Sequence, residues 1–433
     1  MRQIAAFALL CTTGFACDRS AGTPSARAVP AASAAPVASA TAPSAAERRK
    51  LTVALYPYVP NNDGMFREAK VAFEQTHPDV EVVAVALDSY YDSTQDGSVM
   101  GKTGATANVI EFDSVFRDDL MAAKRLSALP AGSEPQEQDF TSAAAKAARV
   151  DGQWIGVPHW VCSDFVYTTK AKPFSGRSLK DLERFVGLPH PAGAGLLTDM
   201  VGKSSIGELY LDALIDEIGS LEAALAQLAS TLPTDGGPPP AQAAEKRDLQ
   251  RLLALCDGKF CRDKGYHKDP SGYAREFAQK HGSALIGYSE ATYDIVNMLA
   301  KPECSAPGSC LRLEDVVVST FPLADEGAHP FVWVDTLAIQ ASCVGSCVAD
   351  AAAFIAAMND DAHLKADLFP TGDAPRYLLP AKTTLDADLR TRAPLYARFR
   401  ALTEGAPPAT GKKLGDSLRG IGGTLDTDGT LKH

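Results

Sequence analysis

The sequence lacks the features that define several large protein classes. Beyond the first twenty residues, no apolar run approaches the roughly 18 residues of a membrane-spanning helix, which excludes a polytopic membrane protein. Basic side chains are in the minority, with 42 Lys and Arg against 53 Asp and Glu, for a formal net charge of −11. A surface of that sign repels phosphate backbones, so nucleic acid is not an expected partner, whereas a positively charged small molecule is attracted.

Common nucleotide-binding and hydrolase motifs are absent as well. No G-x-G-x-x-G follows a strand pattern, and neither H-E-x-x-H nor G-x-S-x-G occurs. The triplets at 101–103 and 202–204 match the end of a P-loop, but Asp96 and Leu197 stand where its first glycine is required. The eight histidines do not cluster. The sequence therefore predicts neither a metal nor a cofactor.

What is present begins with an export signal. A positive start at 1–3 precedes an apolar stretch at 4–16 that is too short to span a bilayer, which predicts a signal peptide over residues 1–16. Gly14 and Ala16 precede Cys17, a pattern typical of bacterial lipoproteins in which this cysteine is acylated, although Gly14 replaces the usual aliphatic residue. Ordinary cleavage and full release is the alternative. The protein is expected to be periplasmic, anchored in the outer membrane through Cys17, or secreted.

An Ala-, Pro- and Ser-rich segment follows at 17–49. Because this composition cannot bury a core, we expect a solvated tether, with the folded part starting near Lys50. The first 49 residues carry five arginines against two acidic side chains. The remaining 37 basic and 51 acidic side chains give the folded part a net charge of −14.

Six of the nine cysteines form three close pairs. In an exported protein such spacing predicts small-loop disulfides, although six cysteines allow 15 pairings. Zinc is a weaker interpretation, because the pairs lack the spacing of zinc ribbons. The expected disulfides are Cys256–Cys261, Cys304–Cys310 and Cys343–Cys347.

Cys162 is left without a partner. A lone cysteine is often a buried structural thiol, but an oxidising compartment is a poor place to keep an idle one. A reactive role for Cys162 and a structural role are therefore both open at this point.

The folded part reads as an α/β protein. Apolar runs at 51–56, 80–86 and 109–112 predict strands. Helical periodicity lies at 65–75, between the first two strands, and at 114–123, after the third, which favours an α/β layer with a parallel sheet. Ligand sites in such sheets lie at the carboxyl ends of strands. The polar residues just after predicted strands are Tyr56, residues 88–90, Asp113, Cys162, residues 289–290 and Asp335.

A cysteine nucleophile needs a partner that accepts its proton. His159 lies three residues before Cys162, and on a strand this spacing directs the two side chains to opposite faces. Glu290 follows the strand predicted at 284–288, and partial burial would raise the pKa of its carboxyl towards that of a thiol. The alternative is a glutamate that merely stabilises the start of a helix.

Seven segments, in order and spanning most of residues 51–400, resemble thiaminase I. This family consists of exported bacterial enzymes on a two-domain periplasmic-binding-protein fold of type II. The resemblance implies a ligand cleft between the two α/β domains. The segments are VALYPYVP at 53–60, DSY at 88–90, FDSVF at 112–116, VCSDFVY at 161–167, LYLDALID at 209–216, IGYSE at 286–290 and YLLPA at 377–381.

On this resemblance, Cys162 is the nucleophile and Glu290 its general acid and base, while Asp113 and Asp335 hold the aminopyrimidine of thiamine. Trp333 stands where the family has a tyrosine, and the three disulfides are additions. The cleft-lining tyrosines would be Tyr56, Tyr58, Tyr90, Tyr273 and Tyr288. The expected domains are residues 50–155 plus about 286–345 and residues 156–285 plus about 346–433.

The implied activity is that of a thiamine pyridinylase-type transferase. Cys162 would attack the pyrimidine of thiamine, the thiazole would leave, and a small amine or thiol would take the pyrimidinylmethyl group. We expect a monomer, with membrane contact only through an N-terminal lipid anchor.

Two non-catalytic interpretations remain. One is a lipoprotein that captures thiamine or a related pyrimidine for an ABC importer, a role that needs neither the thiol nor the base. The other, a sugar-binding protein, is less favoured because the sequence has only three tryptophans to stack on sugar rings.

Overall fold

The structure, a computed structural model, describes residues 48–233, 237–256, 260–269, 271–393 and 395–431. The predicted signal peptide, the lipidation site Cys17 and the tether up to residue 47 lie outside the described residues. Among the residues described, no helix is both long enough and apolar enough to cross a membrane.

Twelve strands lie in the described ranges. They are β1 (Arg49–Ala54), β2 (Val80–Ala84), β3 (Val109–Asp113), β4 (Arg149–Val150), β5 (Gln153–Trp154), β6 (Val157–Cys162), β7 (Phe165–Thr169), β8 (Leu196–Leu197), β9 (Ala284–Gly287), β10 (Val316–Thr320), β11 (Trp333–Ile339) and β12 (Leu379–Pro380).

Fifteen α-helices accompany them in the same ranges. They are α1 (Asn62–Thr76), α2 (Arg117–Ala122), α3 (Ser142–Ala147), α4 (Leu179–Val186), α5 (Lys203–Ile218), α6 (Leu221–Ser230), α7 (Ala243–Leu255), α8 (Lys264–Lys268), α9 (Ser271–Ala278), α10 (Ala291–Leu299), α11 (Ser346–Met358), α12 (Asp361–Leu368), α13 (Asp386–Arg392), α14 (Leu395–Thr403) and α15 (Leu414–Thr427).

Two main sheets organise these elements. The larger sheet has six strands in the order β12-β6-β11-β3-β1-β2, and the smaller has four in the order β10-β7-β9-β8. The predicted parallel arrangement holds for β1 with β2 and with β3, and for β8 with β9. Strand β11 runs antiparallel to β3 and β6, which local sequence periodicity did not indicate.

The sheets divide the chain at points other than the expected domain boundaries. Strand β6 was expected in the second domain but pairs within the six-stranded sheet, and β10 was expected in the first domain but pairs within the four-stranded one. The chain therefore passes from one sheet to the other directly after Cys162 and again between β10 and β11.

Each sheet is covered by helices whose apolar faces follow the helical repeat. In α1 the buried residues Met65, Ala69 and Phe73 are spaced by four, and the Phe73 ring meets Phe354 of α11 with 5.3 Å between ring centres. Burying one such aromatic side chain contributes roughly 1.5–3 kcal/mol. These helices fix the larger sheet, and with it the strand ends where the site lies.

Helices α5 and α15 approach each other unusually closely. A Cβ atom added at Gly207 would lie 2.4 Å from the carbonyl oxygen of Leu418, and one at Gly422 would lie 2.1 Å from that of Lys203. Only glycine fits at these two positions. The contact brings Glu208 of α5 and Arg419 of α15 to the same cavity.

The three predicted disulfides are present. Cys256–Cys261, Cys304–Cys310 and Cys343–Cys347 each close a loop of four to six residues. Within the described part of the chain, Cys162 is the free cysteine, as the cysteine spacing predicts.

Candidate active site

The carboxyl ends of β3 and β6 and the start of β11 meet at one edge of the six-stranded sheet. Trp333 is the cross-strand partner of Cys162, and Asp335 is the partner of Asp113. Directly opposed residues in an antiparallel pair lie about 4.5–5.5 Å apart, so four of the predicted site residues are brought together by strand register alone.

Cys162 occupies the last position of β6 and is partly exposed. Its Sγ lies 3.9 Å from Oδ2 of Asp335. Burial raises the pKa of the Cys162 thiol well above its ordinary value, and the negative charges of Glu290 and Asp335 raise it further. The thiol is therefore protonated in the empty site and needs a proton acceptor before it can attack.

Glu290 lies immediately before α10 and close enough to influence the thiol. Burial raises the pKa of the Glu290 carboxyl to about 7, although a hydrogen bond of 3.1 Å from the Ser289 hydroxyl favours its ionised form. Its side chain makes no capping hydrogen bond to the helix, although its position before the first turn is compatible with a favourable interaction with the helix dipole. A carboxyl with this pKa can both accept and return a proton near neutral pH.

Asp113 and Asp335 form an unequal pair of buried carboxyls. Asp113 accepts hydrogen bonds from the backbone N–H of Val115 at 2.9 Å and from the hydroxyl of Tyr91 at 2.9 Å. Burial raises the pKa of Asp113 to about 6. Burial and the neighbouring charge of Asp113 raise the pKa of Asp335 much further. Of the two carboxyls, Asp335 is therefore the one that ionises less readily.

A cluster of four tyrosines adjoins this pair. Tyr56 contacts Tyr58 and Tyr90 edge-on at 5.5 and 5.1 Å between ring centres, and Tyr58 stacks on Tyr91 at 5.8 Å. The buried Tyr90 hydroxyl accepts from the backbone N–H of Asp113 at 2.8 Å, so this side chain supports the strand end. Tyr58 is 55% exposed and presents its ring to solvent at the cleft.

A cavity of about 300 Å³ opens beside these groups. Asp113, Tyr91 and Trp333 line it from the six-stranded sheet, while Glu208 of α5 and Arg419 of α15 line it from the facing side. The Tyr288 hydroxyl, on the loop after β9, donates to Oε2 of Glu208 at 2.8 Å.

Tyr273 is the predicted site residue that the structure places elsewhere. It lies on α9, is 3% exposed, packs against Tyr266 and donates to the carbonyl of Phe260 at 3.1 Å. The prediction that Tyr273 lines the cleft is wrong for this arrangement, because α9 buries that ring in its own aromatic cluster.

His159 is paired away from the thiol. Its Nδ1 lies 2.6 Å from Oε1 of Glu111, and both side chains are fully buried. Oε2 of Glu111 also accepts from the backbone N–H of Tyr56 at 2.9 Å. The strand argument that separates His159 from Cys162 agrees with this placement. In the part of the chain that is described, no group of three or more potential ligand side chains could hold a metal.

Comparison with the sequences of known proteins identifies a relative that matches most of the chain. No protein-family model matches the chain. Thiaminase-1 of Paenibacillus thiaminolyticus is 25% identical over 385 residues, which is 85% of this chain and 84% of that protein. The chain is similar to thiaminase I over most of its length. The resemblance found in the seven sequence segments is therefore confirmed.

Solved structures confirm the fold. The structure of Clostridium botulinum thiaminase I in complex with thiamin has a TM-score of 0.72 at 21% identity and covers 88% of this chain and 100% of that one. Maltose-bound MalE3 of T. maritima has a TM-score of 0.62 at 15% identity, covering 87% of this chain and 98% of that one. The predicted two-domain α/β fold of periplasmic binding proteins is thus the observed one.

Four residues at the site were missed by the thiaminase I resemblance. Tyr91 follows the predicted Tyr90, and Asp164 follows Cys162 by two residues, with a pKa raised by burial to about 7. Glu208 precedes a matched segment by one residue, and Arg419 lies beyond the last of them. Adjacency to matched residues was the available signal for three of these four. Arg419 offered none, since only the packing of α15 on α5 brings it to the cavity.

Proposed function

We propose that the protein is a thiaminase I-like transferase. It cleaves thiamine at the methylene bridge, transfers the pyrimidinylmethyl group to an amine or thiol, and releases the thiazole. The observation that carries this proposal is the position of Cys162, a free thiol at the cleft edge with Asp335 at 3.9 Å and Glu290 nearby. A protein that only binds solute needs no such thiol.

Recognition of the aminopyrimidine follows from the two unequal carboxyls. Asp113 accepts from Val115, Tyr91 and the Ser114 hydroxyl, which favour its ionised form, so it can also accept from the amino group. Asp335 ionises less readily and in its protonated form can donate to a ring nitrogen. Donation to the ring draws electrons from it and stabilises the negative charge that develops when sulfur adds. Oδ2 of Asp335 also lies 3.9 Å from the Cys162 sulfur.

Substrate charge helps to start the reaction. In the empty cleft, the neighbouring carboxylates disfavour a Cys162 thiolate. The fixed positive charge of a bound thiazolium offsets these negative charges and lowers the pKa of the thiol. Glu290 then takes the thiol proton as sulfur bonds to the pyrimidine ring.

The second half of the reaction reuses the same base. Loss of the neutral thiazole leaves an electrophilic methylene carbon on the pyrimidine, which remains bonded to sulfur. Glu290 releases the thiol proton to solvent before the second attack. An incoming amine or thiol then attacks the methylene carbon and gives its proton to Glu290. The Cys162 sulfur departs, restores the pyrimidine and takes this proton back as the thiol.

A product assay tests the proposal directly. Protein incubated with thiamine and an amine such as aniline or pyridine should release free thiazole alcohol, measured by chromatography. Cys162→Ser should abolish this release while thiamine still binds, because the serine hydroxyl is too weakly acidic to replace the thiol. An untouched thiamine pool with wild-type protein would contradict the proposal.

The second candidate is a solute-binding lipoprotein for thiamine or a related pyrimidine. The likeness to maltose-bound MalE3 favours it, because the fold serves capture as well as catalysis. Equal thiamine binding by wild type and Cys162→Ser, with consumption by neither, would establish this role instead.

We further propose that the protein is exported and monomeric. The N-terminal pattern supports export, with Cys17 lipidated or removed. Three disulfides are also in keeping with an oxidising compartment. Labelling with a radioactive fatty acid would distinguish an anchored form from a released one.

A further inference from the structure

Glu208 faces the cavity beside Asp113 and Trp333, from the side opposite the sheet edge. It lies on α5, lines the same cavity as Asp113 and Tyr91, and accepts the Tyr288 hydroxyl through Oε2. One carboxylate oxygen is thereby oriented by a tyrosine, which leaves the other able to meet a ligand. Nothing in the pyrimidine recognition or proton transfer described above uses this residue.

We propose that Glu208 is the residue that selects for the positive charge of the substrate, so that the cleft prefers a cationic pyrimidine derivative to a neutral one. The inference rests on the proposed function. It assigns the pyrimidine to Asp113 and Asp335 at the sheet edge and the cationic ring to the opposite wall of the cavity. The Tyr91 ring, on the same cavity, adds an aromatic face of the kind that attracts cations.

The electrostatic surroundings of Glu208 support this role. Burial and, to a lesser extent, the charge of Asp164 raise the pKa of its carboxyl to about 8. A cation bound beside Glu208 lowers that pKa and expels the proton, so binding and ionisation are coupled. The charged and titratable groups that face Glu208 from the surrounding elements are Asp113, Asp164, Asp199, Asp212, Tyr288 and, across the cavity, Arg419.

Arg419 does not cancel this charge. Its guanidinium donates to the hydroxyl of Ser204 at 2.8 Å and to Oδ2 of Asp92 at 2.9 Å, so its charge is directed to the cleft rim. Because Asp92 balances the charge of Arg419, the facing wall becomes net negative when a bound cation drives Glu208 to ionise.

The test compares two ligands that share the pyrimidine. Calorimetric titrations in the Cys162→Ser background would use thiamine and the uncharged alcohol 4-amino-5-hydroxymethyl-2-methylpyrimidine. Glu208→Gln should weaken thiamine binding by about tenfold or more, which is the change in an equilibrium constant that corresponds to one pKa unit. The same substitution should leave binding of the alcohol unchanged. Glu208→Asp keeps the charge and should keep the preference for thiamine over the alcohol. This variant provides a second test of the role of Glu208 if the Gln variant folds poorly.

A buried carboxyl outside the cavity supplies the matched control. Glu245 of α7 is 3% exposed and has a pKa raised by burial, so Glu245→Gln removes a comparable group. It should alter binding of neither ligand.

Proton release is an independent measurement of the same role. Thiamine titrations near neutral pH in two buffers of different ionisation enthalpy should show that fewer protons are released on binding after Glu208→Gln.

The possible negative results distinguish failure of the role of Glu208 from failure of the proposed function. Loss of affinity for both ligands, no loss for either, or undiminished proton release would overturn the role of Glu208 while thiamine still binds. If the Cys162→Ser parent binds no thiamine at all, the proposed function fails and the role of Glu208 fails with it.

Discussion

At the scale of single residues, the site depends on groups whose pKa values are displaced by the same burial. Burial raises the pKa of Glu290 to about 7 and that of Asp113 to about 6, and it raises those of Asp335 and Cys162 well above their ordinary values. Strongly displaced pKa values in a cleft are typical of functional sites, which supports the roles proposed for these four residues.

Glu290→Gln should lower turnover by about 10²-fold or more, because the amide cannot take the thiol proton. The wild-type rate should fall as pH drops below about 7, where Glu290 becomes protonated, and this acid limb should move in the variant. Rates of thiazole release across pH would show both effects.

Glu222→Gln, on the exposed face of α6, is the control and should match wild type. A near-normal rate for Glu290→Gln would remove Glu290 from the mechanism.

At the scale of elements, the closest packing in the site region is that of α5 on α15. Gly422→Ala should lower the free energy of unfolding by about 1–3 kcal/mol, because the new Cβ meets the Lys203 carbonyl and forces backbone shifts. It should also weaken thiamine binding, since both helices line the cavity. Urea denaturation and calorimetry would measure the two effects.

The adjacent Gly423→Ala is the matched control. Its Cβ would meet only the flexible Lys203 side chain, at 3.3 Å or more, so this variant should be neutral or more stable by up to about 1 kcal/mol through helix propensity. Equal destabilisation by both changes would show that the close helix contact does not explain the cost.

The helices and strands also show which features the sequence could predict and which it could not. Strand and helix positions, the three local disulfides and the unpaired Cys162 follow from periodicity and short spacing, which are local properties. Strand direction is not local, so the antiparallel placement of β11 was missed. Glu208 joins the site only because α5 faces the sheet edge, and Tyr273 leaves it because α9 buries its ring.

At the scale of the whole molecule, the net charge of −14 on the folded part affects how readily the cationic substrate approaches the site, and not the bond-breaking steps themselves. The kcat/KM for thiamine should fall as salt rises from about 0.01 to 0.15 M, because the Debye length shrinks from about 30 to 8 Å. Binding of the uncharged pyrimidine alcohol should stay constant over the same range. A flat profile for thiamine would show that long-range attraction contributes nothing.

The proposed nucleophile and its proposed base stand on different sheets. Cys162 ends β6 of the six-stranded sheet, whereas Glu290 follows β9 of the four-stranded one, and the chain crosses between the sheets directly after Cys162. A movement of one sheet relative to the other would therefore change the distance between the sulfur and its proton acceptor. Proton transfer in the proposed reaction thus requires that the two sheets hold the spacing seen in this structure.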